Sequence, residues 1–446
     1  MYKRLLCLIF IILIVLTAGC RGTVASESSG FESPSCETEK QAILDLYSDR
    51  FGSEAKELVT ADFLDWMEST FRSDSVLNLY DDLASGSYTD DTWHDVTGNT
   101  LKVLKDYYSG VLDTDSSSYR SDIKLIADGD GTTKIRVTGD LSLADNWHIM
   151  KAMDERGKGL SGVMEPQVIS LLKDADITLT NNEFTLSTRG KPLNGKQYTF
   201  RGSPKRVRLY SEMGVDIVSL ANNHAYDYGE DAFKDTVEAL KNEGVAYIGG
   251  GKNIDEAKRP FYFISNGRKI AFTAATNAEK YKLTPEATDT KSGVLRTYDP
   301  EKYLEVIREA AEQSDYVIAY VHWGTEYSHD FSADQTELGK QLIDAGADIV
   351  IGAHAHILQG IGFYKGKPIV YNLGNFLFNA RTIDSGIFEL SLEGSGNASY
   401  RFIPLLQSSC SVKTVDEAES RRILEFMTEH SENVTFDFDG TFYESH

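Results

Sequence analysis

The feature that most constrains the fold of this chain is a series of strand-like apolar runs that begins near residue 132. Each of these runs ends in polar residues: "KIRVTGD", "DITLTNNE", "VDIVSLANNH", "DYVIAYVHWG" and "ADIVIGAHAH". Helical segments lie between them, among them "PQVISLLKDA", "DAFKDTVEALKNEG" and "DQTELGKQLIDAG". Strands that alternate with helices of 10 to 15 residues are typical of layered α/β folds. The sequence therefore predicts an α/β protein over this region.

The later part of this region has a different pattern. Three runs are rich in strand-forming residues and have no helix between them: "KPIVYNLGNF", "GIFELSLEG" and "YRFIPLLQS". They predict added antiparallel strands.

Earlier, "RPFYFISNGRKIAFTAATN" has two apolar runs around an Asn-Gly pair, which predicts a hairpin.

The polar residues at the strand ends form the candidate site. They are Asp140, Glu183, Asn223 with His224, His322, and His354 with His356. Ligands of layered α/β sheets bind outside the carboxyl ends of the strands, so these residues are expected to share one crevice. Each one alone is more often a turn residue, a helix cap or a structural histidine. Five such ends in succession favour a single functional site.

The residue types indicate a metal site. Carboxylates, an amide oxygen and imidazoles suit Mn, Fe or Zn better than Ca or Cu(I), and the set lacks the cysteines of a structural zinc site. His354 and His356 are two positions apart on a strand or at its end. We expect both to coordinate only with two neighbouring metals or a kinked strand end.

Charge and the N-terminus indicate an exported protein. The formal net charge is −23, which argues against nucleic acid as a partner because phosphates would be repelled. Lys3 and Arg4 precede an apolar run from Leu5 to Leu16 that is short for a membrane span. Residues 1–20 therefore predict a signal peptide.

The end of this segment resembles a bacterial lipobox, with Ala18 and Gly19 before Cys20, although Thr17 stands where leucine is usual. The resemblance implies a lipid on Cys20 that anchors the protein to the extracytoplasmic face of the cell membrane. The alternative is an ordinary cleaved signal. Residues 21–35 are rich in serine and glycine and predict a flexible tether.

Two further regions flank the α/β part. Residues 36–125 have apolar residues at helical spacing and predict a helical N-terminal unit without a recognisable chemical motif. Residues 411–446 predict a C-terminal helix and tail. Cys36 and Cys410 either form a disulfide or remain two unrelated thiols.

Six ordered motifs resemble the CapA family of bacterial poly-γ-glutamate capsule synthesis, a relative of the calcineurin-like metallophosphoesterases. The motifs are "GD" at 139–140, "NNE" at 181–183, "SLANNHAYDYG" at 219–229, "HWGTEY" at 322–327, "GADIVIGAHAHILQG" at 346–360 and "VYNLGNFLF" at 370–378. The resemblance covers about residues 132–380. It implies a four-layered α/β/β/α metallophosphatase-like sandwich, which we place at residues 132–410.

The resemblance also implies roles for individual residues. Metal ligands would be Asp140, Glu183, Asn223, His322 and His354 around one or two ions, with His356 on the second ion. His224 would act on the substrate as a catalytic residue. Asp227 would either orient His224 or cap the following helix.

Two positions depart from the pattern of the phosphoesterases. Ser142 stands where they have a histidine ligand, and Glu183 stands where they have an aspartate. One metal position is therefore expected to be weak or empty, which puts two-metal hydrolysis in doubt.

Several residues near these motifs are candidates for a pocket or for packing. Trp323, Glu326 and Tyr327 follow His322, and Asn375 lies in a polar turn. The basic segment 187–206 is either a solvated loop or an attractor of an anionic polymer.

Together these features predict a membrane-anchored lipoprotein of capsule biosynthesis or export with a metal site. Its expected partners are membrane synthase subunits and an anionic envelope polymer. The alternatives are a metal-dependent hydrolase of a phosphoester or amide in another envelope polymer, and a binding module that uses no metal.

Overall fold

The structure is a computed structural model. It describes residues 36–51, 59–70, 75–89, 92–93, 101, 104–105, 108, 122–126, 131–266, 268–278, 283–393 and 397–445. The predicted signal peptide, Cys20 and the tether lie outside the described residues. Within the described part of the chain, no helix has the length and apolar character needed to cross a membrane.

The α-helices are numbered here in chain order. They are α1 (Cys36–Phe51), α2 (Ala61–Thr70), α3 (Ser75–Ser85), α4 (His148–Arg156), α5 (Pro166–Lys173), α6 (Arg208–Met213), α7 (Glu230–Glu243), α8 (Ile254–Lys258), α9 (Glu301–Gln313), α10 (Ala333–Ala345) and α11 (Glu417–Glu429). Two short 3₁₀ helices span Gly159–Gly162 and Pro204–Val207.

The strands are also numbered in chain order. The first ten are β1 (Ile123–Leu125), β2 (Thr132–Leu141), β3 (Ile177–Asn182), β4 (Thr185–Leu186), β5 (Arg201–Gly202), β6 (Ile217–Ser219), β7 (Ala246–Ile248), β8 (Gly250–Gly251), β9 (Phe261–Ser265) and β10 (Arg268–Thr276). The others are β11 (Gly293–Val294), β12 (Tyr316–His322), β13 (Ile349–Ala353), β14 (Leu358–Tyr364), β15 (Lys367–Leu373), β16 (Asn375–Leu377), β17 (Ile383–Glu393), β18 (Ala398–Ser408), β19 (Ser411–Thr414), β20 (Val434–Phe436) and β21 (Thr441–Glu444).

Two large sheets contain most of these strands. One has the order β1-β9-β10-β12-β13-β15-β14, and β10, β12, β13 and β15 run parallel in it. The other has the order β20-β21-β18-β17-β2-β3-β6-β7, with β16 paired to β2 and β19 to β18. The predicted hairpin is confirmed, because β9 and β10 pair antiparallel.

Three apolar cores separate four layers. Ile135 and Leu179 of one sheet share a core with Ile318 and Ile351 of the other, so the sheets pack face to face. The other face of the ten-stranded sheet is covered by α4 to α7. The other face of the seven-stranded sheet is covered by α9 and α10. The predicted α/β/β/α sandwich is confirmed.

Glycines end two of the helices that precede parallel strands. Gly214 and Gly244 adopt left-handed conformations, with φ of 80° and 78°. Each donates its backbone N–H to a carbonyl of the last turn, so α6 and α7 stop there and the chain enters β6 and β7.

The N-terminal region contains helices, as expected. α1, α2 and α3 share an apolar core that also includes Ile264 of β9. The prediction differs from the structure at Ile123–Leu125, which lies in the predicted helical unit but forms an edge strand parallel to β9. Three residues are too few for a strand pattern to be visible in the sequence.

The C-terminal residues do more than form the predicted helix. α11 contributes Ile423, Leu424 and Met427 to the core between the sheets. The residues around it form β19, β20 and β21, which extend the ten-stranded sheet. β19 and β21 pair with β18, and β20 pairs with β21. These pairings are tertiary contacts that such short runs do not reveal. The thiol of Cys410 has no disulfide partner among the described residues, which do not include the side chain of Cys36.

Candidate metal centre

The polar strand ends of both large sheets meet at one edge of the sandwich. The ten-stranded sheet supplies Asp140 at the end of β2, Glu183 just after β3 and Asn223 in the loop after β6. The seven-stranded sheet supplies His322 at the end of β12, and His354 and His356 just after β13. All six side chains are buried. The structure therefore brings together every predicted metal ligand.

Five of these side chains form two overlapping groups of possible ligands. Donor atoms of Glu183, His322 and His354 lie within 4.8 Å of one another. The same holds for Asp140, Glu183 and His356. Because Glu183 belongs to both groups, one carboxylate lies between two possible cation positions.

A kinked strand end lets His354 and His356 take part in the same centre. β13 ends at Ala353, and the two histidines have φ of 99° and 62°. Positive φ is uncommon for residues other than glycine, and it costs about 1–2 kcal/mol. Backbone held in such conformations is concentrated at functional sites.

Two buried polar atoms in this cluster have no hydrogen-bond partner in the part of the chain that the structure describes. They are Oε1 of Glu183 and Nδ1 of His354. A buried polar atom without a partner costs about 1–3 kcal/mol, so such atoms need an explanation. A carboxylate oxygen and an imidazole nitrogen are both metal donors, and the rest of the set suits Zn, Mn or Fe. These residues fit a divalent metal.

The pKa values follow from burial and from the charges in the cluster. Burial and the charge of Asp140 raise the pKa of Glu183 well above its ordinary value. Burial lowers the pKa of His354 to about 3, and it holds that of His322 well below the usual value. Burial raises the pKa of Asp140, but the hydrogen bond to His356 and the charges of His322 and His356 outweigh this and lower it. Neutral imidazoles with free lone pairs are the form that binds metals.

Polar contacts hold four of the ligands in place. Nε2 of His322 lies 2.9 Å from Oδ1 of Asn223. Nδ1 of His356 lies 2.8 Å from Oδ1 of Asn375 and 3.3 Å from Oδ2 of Asp140. Asn375, predicted from the sequence as a candidate for a pocket or for packing, is therefore a buried partner of a ligand. Such contacts fix the orientation of an imidazole that binds a metal.

Two asparagines that were not predicted as site residues, Asn181 and Asn222, support the carboxylates. Nδ2 of Asn181 donates to Oδ1 of Asp140 at 2.8 Å and to Oε2 of Glu183 at 3.1 Å. Its own Oδ1 accepts from Nδ2 of Asn222 at 3.0 Å. Both residues lie in the quoted motifs, as the first members of "NNE" and "NNH". The pair of adjacent asparagines in each motif was the sequence signal that could have identified them.

His224 lies beside the cluster and is held by a buried ion pair. Its Nδ1 lies 2.7 Å from Oδ2 of Asp227, and its Nε2 lies 4.0 Å from Oε1 of Glu183. Oδ1 of Asp227 lies 2.7 Å from Nζ of Lys196. The N-cap of helix α7 is Gly229, so Asp227 does not cap that helix. Of the two predicted roles of Asp227, the structure has the hydrogen bond to His224. Lys196 was not singled out in the sequence analysis.

A cavity of about 590 Å³ opens beside the centre. Its lining includes His224, His356, Glu326 and Tyr327, together with aromatic and polar side chains: Trp147, His148, Gln197, Tyr198, Phe200, Phe378, Asn379 and Arg381. Trp323 is not part of this lining. It lies fully buried in the core under α10 and donates its indole N–H to the carbonyl of Tyr371 at 2.9 Å. Packing is therefore its role.

Ser142 is buried, and its hydroxyl has no hydrogen-bond partner among the described residues.

In the basic segment 187–206, Arg189, Lys196 and Arg206 pair with carboxylates of the protein itself. Because of these ion pairs, less of the positive charge of the segment is available to an anionic polymer than its sequence suggested.

An α/β/β/α sandwich with buried carboxylate, amide and imidazole side chains where its two sheets meet defines a protein of the metallophosphatase-like class. Within it, the chain belongs to the family described as bacterial capsule synthesis protein PGA_cap, whose sequence profile matches residues 134–380.

Three relatives illustrate this membership. The capsule biosynthesis protein CapA of Bacillus anthracis is 36% identical over 48% of this chain and 53% of its own length. The PGA biosynthesis protein CapA of Bacillus subtilis (strain 168) is 31% identical over 55% of this chain and 67% of its own length. A probable polyglutamine synthesis accessory protein of Mycobacterium tuberculosis is 29% identical over 45% of this chain and 55% of its own length. The matched region thus spans about half to two thirds of each relative.

Proposed function

We propose that this protein binds a divalent metal and serves the synthesis or export of a poly-γ-glutamate type capsule polymer at the extracytoplasmic face of the cell membrane. The observation that carries the metal-binding part is a pair of buried ligand atoms, Oε1 of Glu183 and Nδ1 of His354, that have no hydrogen-bond partner among the described residues and lie inside a cluster of ligand side chains. The names of the relatives supply the polymer. A lipid on Cys20 would provide the anchor, and membrane fractionation of a Cys20→Ser variant tests it.

The residues that would hold the metal are Asp140, Glu183, Asn223, His322, His354 and His356. A divalent Mn, Fe or Zn ion bound there supplies Lewis acidity and lowers the pKa of bound water. Asn181 would hold the two carboxylates in position beside each other, since its amide donates to both.

His224 is placed to handle a proton or a developing charge on a substrate. A carboxylate only accepts hydrogen bonds, so Asp227 selects the tautomer with the proton on Nδ1. Nε2 then keeps its lone pair beside the cavity. Burial lowers the pKa of His224, which favours this neutral form. Phe200, whose ring centroid lies 4.4 Å from that of His224, limits the movement of the imidazole.

The second candidate is a metal-dependent hydrolase of a phosphoester or an amide in another envelope polymer. The cavity that reaches both His224 and His356 favours it, because a scissile bond could lie between them. The two candidates are compatible, since an assembly factor that works with membrane synthase subunits can also cut the polymer.

The test is the metal content of protein purified without chelator, beside a His354→Ala/His356→Ala variant. We expect one or two Mn, Fe or Zn ions per chain in the wild type and loss of most of this metal in the variant, because each ligand group loses an imidazole. Elemental analysis of both samples gives the answer. A folded wild-type protein without metal would overturn the proposal and favour a binding module.

A further inference from the structure

Arg381 stands out among the side chains that line the cavity. Among the described residues, no carboxylate lies within 4.0 Å of its guanidinium. The guanidinium carbon lies 4.8 Å from the ring centroid of Tyr327, also in the lining. Lys196, by contrast, pairs with Asp227, and Arg201 donates to the carbonyls of Arg189 and Gly190. Arg381 is therefore a cation available to a ligand.

The backbone that carries Arg381 is held firmly. Oε1 of the buried Gln407 accepts from the N–H groups of Phe378 and Asn379 at 2.7 and 3.2 Å. Nε2 of Gln407 donates to Oδ1 of Asn379 and to the carbonyl of Arg381, at 2.9 and 3.3 Å. The N–H of Arg381 donates to the same Oδ1 at 3.0 Å. A position fixed in this way loses little freedom when a ligand binds.

Tyr327 links Arg381 to the metal centre. Its backbone N–H donates at 2.8 Å to the carbonyl of Ala355, which lies between the two histidines of the kinked strand end. Its φ is 60°, and its ring centroid lies 5.7 Å from that of His356. Arg381, Tyr327 and His356 thus follow one another along the cavity wall.

The lining also contains an anion and aromatic side chains. Among the described residues, no cationic side chain lies within 4.0 Å of the carboxylate of Glu326. Trp147, Phe200 and Phe378 supply aromatic faces. A ligand that matches this lining has a carboxylate, N–H donors and methylene groups. A γ-glutamyl chain has all three in every repeat, whereas a glycerol-phosphate chain has no N–H group for Glu326.

We propose that the cavity binds a carboxylate-bearing γ-glutamyl chain, with Arg381 as the residue that recognises a carboxylate and Glu326 as an acceptor for amide N–H groups. The planar guanidinium can bind a carboxylate through two parallel hydrogen bonds. The identity of the polymer rests on the proposed function, and the recognition by Arg381 rests on the cavity.

The experiment is calorimetric titration of the full chain, loaded with Mn²⁺, with a short γ-linked glutamate oligomer. We expect Arg381→Ala to weaken binding about 10-fold or more, because the variant loses both charge-assisted hydrogen bonds to the carboxylate and a 10-fold change corresponds to about 1.4 kcal/mol. The matched control is Arg421→Ala on the exposed face of α11, where the arginine pairs with Glu417, and it should bind like the wild type. Equal affinity of the wild type and Arg381→Ala would overturn the proposal.

A further ligand tests the chemical class. A glycerol-phosphate oligomer should bind more weakly than the γ-linked oligomer, because it has no N–H group for Glu326. Equal or tighter binding of the glycerol-phosphate oligomer would overturn the assignment to a γ-glutamyl chain. Metal content is measured on the same samples. Because Arg381 is not a metal ligand, this measurement distinguishes a failure of oligomer binding from a failure of the proposed metal site. Protein that retains metal but binds no γ-linked oligomer refutes the cavity proposal alone.

Discussion

At the residue scale, the centre depends on side chains that are not ligands themselves. Asn181 bridges both carboxylates, and Asn375 contacts His356. Asp227 contacts both His224 and Lys196. The side chains of His224 and Lys196 are almost completely buried. A buried ion pair is costly to break because the remaining charge stays out of water.

The first prediction at this scale concerns Asp227→Asn. We expect a loss of about 3 kcal/mol in the free energy of unfolding, because the buried side chains of Lys196 and His224 would both lose the negative charge of Asp227. Urea denaturation of the purified protein measures it. The control is Asp231→Asn, whose carboxylate is 65% exposed and lies 3.7 Å from Arg189. We expect little change there, since exposed ion pairs contribute little. Equal destabilisation by both variants would contradict this account.

At the element scale, the position of Asp140 depends on how closely two chain segments approach. The N–H of Asp140 donates to the carbonyl of Gly374 at 2.8 Å, and β16 then pairs with β2 opposite Asp140. A Cβ at Gly139 would lie 1.9 Å from that same carbonyl oxygen. Glycine at 139 is thus a requirement of packing between segments.

The prediction for Gly139→Ala follows from this contact. We expect a destabilisation of about 2 kcal/mol or more and a reduced metal content, because backbone must move away from β2. Chemical denaturation and elemental analysis measure the two effects. In the control Gly162→Ala, the new Cβ would meet its nearest atom at 3.5 Å, an ordinary contact. A Gly139→Ala protein with normal stability and metal content would show that the segments can separate freely.

At the scale of the whole molecule, the ligands come from both sheets. Asp140, Glu183 and Asn223 belong to the ten-stranded sheet, and the three histidines belong to the seven-stranded sheet. A bound ion would therefore connect the two halves of the sandwich, in addition to the apolar core between them.

This arrangement predicts that metal stabilises the entire fold. A ligand that binds only the folded state adds about 2.7 kcal/mol at a concentration 100 times its Kd. We expect the melting temperature to fall when metal is removed with EDTA and to rise again when Mn²⁺ or Zn²⁺ is added. Differential scanning calorimetry measures the shift. The His354→Ala/His356→Ala variant should show little response to either treatment, and a shift of the same size in that variant would place the stabilising ion elsewhere.

Local patterns account for much of what was predicted. Apolar periodicity and glycine stop signals reveal strands and helices because they depend on neighbours a few residues away. Hence β2, β12, α7 and α10 were predictable, and so were the polar residues at the ends of the parallel strands. Because such ends gather at one edge of a sheet, Asp140, Glu183 and the three histidines could be identified before the structure was known.

The sequence by itself thus determined the layered fold class and the chemical character of the site. Only the tertiary structure decided which way the side chains point and which loops meet. It buried Trp323 in the core, placed Lys196 on Asp227, and brought Arg381 to a cavity that also contains His356. These contacts join residues far apart in the chain, across loops whose conformation depends on packing. Local periodicity contains no information about such distances, so only the folded chain could reveal them.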